Sequence, residues 1–202
     1  MLRVFRSIKN LASLLINLLM NITLEYKTDS DDILTYLLFS ASKNDRIIKT
    51  RRKAATRLPI IYLFLGVVVL FMHMYGLSLI FWLVSLGWYF IYPLYQRKHY
   101  VKHYKNWIRD TYKTGFDNLS IIQLSDEALT VKSEGVETKI PTSQFTEINE
   151  IKSYIFVQVI NGGRWIVPTE KIENVELVKK DLKELSTKLN IPYNVDYNWK
   201  WK

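Results

Sequence analysis

Three groups of residues have types and spacings that suggest chemistry. His99 and His103 are four apart and would share one face of a helix, as metal-binding pairs do. Tyr100 and Val101 follow His99, so the glutamate of a zinc-protease helix is missing. A closed zinc site takes about four ligands, so an interfacial role in a basic juxtamembrane helix is the simpler reading. Asp29, Asp31 and Asp32 stand in TDSDD. The spaced oxygen ligands of a calcium loop are absent, whereas acidic residues at a helix start cap it and suit its dipole. No metal and no cofactor is expected. The third group is Asn161, Arg164 and Trp165, around the turn Asn161-Gly162-Gly163. Arg and Trp are enriched at binding hot spots. Strand alternation puts Trp165 and Val167 on one face and Arg164 and Ile166 on the other. This turn is the candidate contact surface. The alternative makes Trp165 a core side chain and Arg164 a solvated charge.

Much catalytic chemistry is missing. The chain has no Cys, which excludes disulfides, thiol catalysis and Cys-ligated metals. It has no Walker loop, no nucleotide-binding glycine fingerprint and no G-x-S-x-G elbow. All three His lie in or beside the apolar region, which leaves the rest without a His general base. The expectation is a protein that is not an enzyme. A catalyst built on carboxylates alone stays open without a positive signal.

The element that organises the chain is residues 58–95, which contain no Asp, Glu, Lys or Arg. One bilayer crossing needs about 20 apolar residues, so this stretch divides into spans near 58–74 and 77–95. The break falls at His73–Gly76, where Gly76 is expected to relax the backbone. The alternative is a buried hairpin of a soluble protein. Basic residues flank the stretch: Arg51, Arg52, Lys53 and Arg57 before it, Arg97, Lys98 and Lys102 after it. These are the candidate headgroup contacts, and the positive-inside rule places both flanks in the cytoplasm. Trp88, Tyr89, Tyr92 and Tyr95 would form an interfacial belt.

The formal net charge is +9, yet residues 118–202 hold 11 basic and 12 acidic side chains. All the excess positive charge therefore flanks the apolar stretch. Lipid headgroups explain it, and nucleic acid, which wants a basic face on a folded domain, is not expected as a partner.

Along the chain, residues 1–21 read as an amphipathic helix with apolar residues at helical spacing. It has three open readings: an interfacial helix, a signal peptide, or a non-native extension ahead of a start at Met20. Residues 22–57 form a cytoplasmic strand-helix region: a short strand ITLEY, a helix from Asp31 to Ser42 with Ile33, Leu34, Leu37 and Leu38 on one face, and a helix from Asp45 to Arg57. The two-span hairpin occupies 58–95. Residues 96–117 continue it as a helical stalk.

From 118 the period changes to two. Strands are expected at Leu119–Leu124, Ala128–Lys132, Val136–Ile140, Phe145–Ile151, Tyr154–Ile160 and Arg164–Val167. An amphipathic helix then runs from Glu173 to Leu189, with Val175, Leu177, Val178, Leu182, Leu185 and Leu189 as its apolar set. Residues 118–192 thus form one β domain with a C-terminal helix. Residues 193–202 are a tail ending WKWK, left as a headgroup contact, a disordered end, or a packing of Trp199 on the sheet.

The layout resembles the YcxB-like family of bacterial membrane proteins. The resemblance is carried by ITLEYKTDSDDILTYLLFSASKND, by the hairpin, and by VKSEGVETKIPTSQFTEINEIKSYIFVQVINGGRWIVPTEKI. Where many members place a Trp shortly after the strand-ending proline, Thr142 and Ser143 follow Pro141 here. The resemblance implies two close transmembrane helices and a cytoplasmic domain akin to pleckstrin-homology (PH-like) domains, and it brings no catalytic residues. The expected fold is a membrane α-helical hairpin plus an α+β soluble domain, a small antiparallel PH-like sheet or barrel capped by a C-terminal helix.

The leading functional expectation is a non-enzymatic, membrane-anchored binding or regulatory protein. It would sit in the cytoplasmic (inner) membrane with both termini cytoplasmic and meet a protein partner, such as a toxin or a membrane complex. The alternative is an immunity protein that neutralises a membrane-active toxin. A channel or transporter subunit fits less well, because charged residues are absent from the spans, and so does a membrane-bound enzyme, because catalytic constellations are missing. Homo-oligomerisation is left open.

Overall fold

A computed structural model describes residues 21–112, 119–133 and 135–202. The amphipathic stretch 1–21 lies outside them except for its last residue. The chain forms two compact units. One takes the described residues through Asp32 together with those from Leu119 to Trp199; the other takes Ile33 to Tyr112 and the last three residues.

Helix α1 (Ser30–Lys43) begins on a reciprocal cap. The Asp29 carboxylate accepts the backbone N–H groups of Asp31 at 2.8 Å and Asp32 at 2.9 Å, and the Asp32 carboxylate accepts the Asp29 N–H at 2.8 Å. This is a capping box with Asp in place of Glu. Ile33, Leu34, Leu38, Phe39 and Ala41 are its buried apolar face. Helix α2 (Asp45–Phe71) is capped by Asn44, whose side chain accepts from Arg46 N and Ile47 N. It runs unbroken into the apolar stretch. Helix α3 (Tyr75–Thr111) has 37 residues and includes the expected stalk as far as Thr111. At about 1.5 Å per residue it is roughly 55 Å long.

The turn between α2 and α3 corrects one expectation. Gly76 sits inside α3, and His73 takes the left-handed conformation, with φ 60°. His73 N donates to Leu70 O at 3.0 Å and Met74 N to Val69 O at 3.3 Å, which closes α2 as a Schellman cap. The two helices meet through small and hydroxyl residues. Ser78 Oγ donates to Gly66 O at 2.8 Å and Ser85 Oγ to Pro59 O at 3.0 Å. In hydrocarbon such groups must find partners inside the protein. Gly66 lies under the Trp82 indole, where a Cβ would collide with the ring. Both helices are long and apolar enough to cross a membrane, and only 11% of each one's most apolar window is buried. A core hairpin of a soluble protein would be covered; Phe64, Phe90, Ile91 and Leu94 here point outward.

In the other unit, strand β1 (Asn21–Lys27) buries Ile22, Leu24 and Tyr26 and turns Thr23, Glu25 and Lys27 outward. It pairs antiparallel with β2 (Leu119–Ser125), Asn21 opposite Ser125 and Lys27 opposite Leu119. Strands β3 (Ala128–Ser133) and β4 (Val136–Pro141) complete a sheet of order β1-β2-β3-β4. The second sheet contains β5 (Phe145–Ile151), β6 (Tyr154–Val159), β7 (Arg164–Pro168) and β8 (Tyr193–Asp196), in the order β7-β6-β5-β8. Helix α4 (Val175–Leu189) lies between β7 and β8 in the chain. This crossover returns the chain in the direction of β5, so β8 pairs with β5 in parallel. The fold is α+β with largely antiparallel sheets. The two sheets are not joined into a closed barrel, and β8 falls in what the sequence presents as a tail.

One core fills the unit. It joins Leu24 and Leu124 of the first sheet, Ile148, Val157 and Val167 of the second, and Val178, Leu182 and Leu185 of α4. Leu177, expected in the apolar set of α4, is 55% exposed, because it sits one residue off that buried stripe. Glu150 is buried among the strands. Tyr193 Oη donates to it at 2.7 Å and Tyr197 Oη at 2.8 Å, and the Lys179 ammonium lies 3.1 Å away. Burial resists the charge, but these three donors hold the Glu150 carboxyl below the usual carboxylate range.

Candidate functional site

The turn between β6 and β7 is built as its residues suggest. Gly162 takes a φ of 74°, and Val159 N donates to Gly163 O at 3.0 Å. Asn161 is exposed at the tip, and Arg164 is half-buried opposite Gln158. Trp165 is only 5% exposed. Its indole N–H donates to Tyr26 Oη at 2.7 Å, and Tyr26 Oη donates to Ile166 O at 2.5 Å. Burial pushes the Tyr26 hydroxyl pKa up against the pull of that indole bond. Trp165 is therefore a core residue that fastens β1 to β7, and Asn161 and Arg164 form the outward part of the turn.

The basic flanks divide in a similar way. Arg52, Lys53, Arg57, Arg97, Lys98 and Lys102 are exposed on α2 and α3. Arg51 is engaged within its own unit: Nε donates to Gln96 Oε1 at 3.1 Å, and Nη2 donates to Lys202 O. Its guanidinium lies 4.4 Å from the Trp201 ring centroid and 5.5 Å from that of Tyr100. Trp201 is buried, and its indole donates to Arg97 O at 3.3 Å. Arg51 thus also holds Trp201 and Lys202 within its own unit. The Arg51–Gln96 bond also shows that the basic stretches of α2 and α3 lie at one end of the hairpin.

The other chemical candidates have structural partners. Lys171 Nζ reaches Asp29 at 2.5 Å and Asp32 at 2.7 Å, so the capping aspartates are clamped by an ammonium. His99 stacks on Tyr95 at 5.9 Å, and His103 leans on Tyr104. Among the described residues no three His, Asp or Glu side chains gather as metal ligands.

A surface with no sequence signal lies along β1. A groove of about 550 Å³ runs between residues 22–25 on one side and Lys171, Ile172, Glu173, Asn174, Leu177 and Asp181 on the other. That volume is in the range of about 300–1,000 Å³ typical of ligand sites. Its walls come from residues some 150 positions apart, which no local pattern brings together.

Residues 124–180 match the family model described as YcxB-like protein. The resemblance read from the sequence is shown over that stretch, which runs from the end of β2 into α4. No curated protein and no solved structure matches the chain.

Proposed function

We propose that the chain is a non-enzymatic, membrane-anchored binding or regulatory protein. The hairpin holds it in the cytoplasmic membrane, and a PH-like α+β unit meets a protein partner on the cytoplasmic side. The observation that carries this reading is the pairing of β1 with β2. These strands bracket the hairpin in sequence, and their sharing one sheet supports a hairpin with both flanks on one face of the membrane. The basic residues on both flanks favour the cytoplasmic face.

The α+β unit is read as a binding surface because its buried ionisable side chains already have structural partners. Glu150 is held by Tyr193, Tyr197 and Lys179, Asp32 by Lys171, and Tyr26 by Trp165 and a carbonyl. The Asn161–Arg164 turn is one exposed region for contact.

The test replaces residues 58–95 with an unrelated two-span anchor and isolates bound partners from native membranes. Retained capture supports the α+β unit as the working part. Capture lost on replacement makes the hairpin the working part, as an immunity role within the bilayer requires. Arg164→Ala should weaken capture without lowering the melting temperature, and unchanged capture removes the turn from the contact surface.

A further inference from the structure

We propose that the groove beside β1 binds an extended, basic segment of a partner protein as an added strand. This rests on the reading of the protein as a binding module and gives that reading a site and a ligand class.

Among the described residues β1 is an edge strand whose one hydrogen-bonded neighbour is β2. In an antiparallel pair, alternate residues aim their N–H and C=O groups away from the partner. On β1 the Lys27 carbonyl is taken by the Lys171 ammonium at 3.3 Å, which leaves the edge along residues 22–25, the part that lines the groove. Proteins commonly blunt such edges with proline, bulges or a covering element. Of the other edges, β4 and β7 each end in a proline, Pro141 and Pro168, and β8 is only four residues long. β1 contains none, and its register with β2 is unbroken over seven pairs. An unblunted edge beside a groove of about 550 Å³ has the geometry of strand addition.

The lining chooses the ligand. Glu25, Glu173 and Asp181 bring carboxylates to the groove, while Lys171 is neutralised by Asp29 and Asp32. Burial and the neighbouring Glu184 push the Asp181 carboxyl pKa up, and a cation seated beside it would favour its charged form. Leu177, left outside the α4 core stripe, and Ile172 supply apolar contact. Lys or Arg alternating with aliphatic residues matches this lining, because successive side chains of a strand face opposite ways.

The direct test uses the full chain in nanodiscs and two labelled seven-residue peptides, one alternating Arg with Val and one alternating Glu with Val. The basic peptide should bind and the acidic one should not. Glu25→Lys with Glu173→Lys should weaken the basic peptide by about tenfold or more, since two exposed charge pairs are reversed, with an unchanged melting temperature. The neutral pair Glu25→Gln with Glu173→Gln should shift affinity in the same direction without introducing repulsion. A photo-crosslinking residue at Thr23 in native membranes should capture a Lys- or Arg-bearing segment of another protein. Equal binding of both peptides, no effect of either double variant, or a Thr23 crosslink to a second copy of this chain would each overturn the proposal. Undiminished partner capture by the double variants sinks the groove alone and leaves the binding-module reading intact. No partner captured by the unaltered chain sinks both.

Discussion

At Trp165 the indole N–H and the Tyr26 hydroxyl form a short buried relay that ends on the Ile166 carbonyl. Truncating the ring removes a large core side chain and leaves the Tyr26 hydroxyl without its donor. Trp165→Ala should destabilise the α+β unit by about 3–5 kcal/mol in reversible denaturation. Glu150 gives a second prediction at this scale. Tyr193→Phe removes one charge-assisted bond to a buried carboxylate and should cost about 1.5–3 kcal/mol. The pH dependence has a definite sign. The folded pKa of Glu150 lies below its unfolded value, so its contribution is complete above the unfolded pKa of about 4.3 and is lost as pH falls through the lower folded value. Melting temperature should drop on acidification below about pH 4. Glu150→Gln should flatten that part of the profile.

At the scale of elements, β1 is the strand whose removal matters most. It supplies Ile22, Leu24 and Tyr26 to the core, at about 1.5–3 kcal/mol for each large apolar side chain. That sum rivals the whole stability of a small domain, about 5–15 kcal/mol. A fragment of residues 119–202 should therefore fail to fold cooperatively by circular dichroism, and joining residues 21–28 to it through a short linker should restore the transition. In the hairpin, Ser78→Ala and Ser85→Ala should each weaken helix association by about 0.6 kcal/mol, and by no more than about 1.7. The elements themselves are legible in the sequence, because period two, period 3.6 and a charge-free run are local signals. The strands from β2 to β7 lie within about two residues of their expected positions. What local pattern lacks is partnership. ITLEY reads as a strand, but nothing in it names β2, which lies beyond the hairpin. β8 is four residues long and takes its place only through α4. His73 closes α2 in a conformation that glycine usually takes, so Gly76 draws attention away from it. The same limit hides the groove and the Arg51–Trp201 contact, each assembled from distant positions.

At the scale of the molecule, the hairpin is an insertion between two paired strands, and that topology constrains function more than any single residue. Both connections of the hairpin lead back to the same α+β unit, so a span crossing in only one direction would pull β1 from β2. Net charge agrees: the excess positive charge lies on both flanks and none of it in residues 118–202. The chain has no Cys, so single introduced thiols report position without background. The decisive measurement is labelling of Lys53→Cys and Lys102→Cys by a membrane-impermeant maleimide in right-side-out membrane vesicles, before and after permeabilisation. Both thiols should stay unlabelled in sealed vesicles and react once the membrane is opened. Labelling of either one in sealed vesicles would contradict a hairpin whose two flanks both lie on the cytoplasmic side.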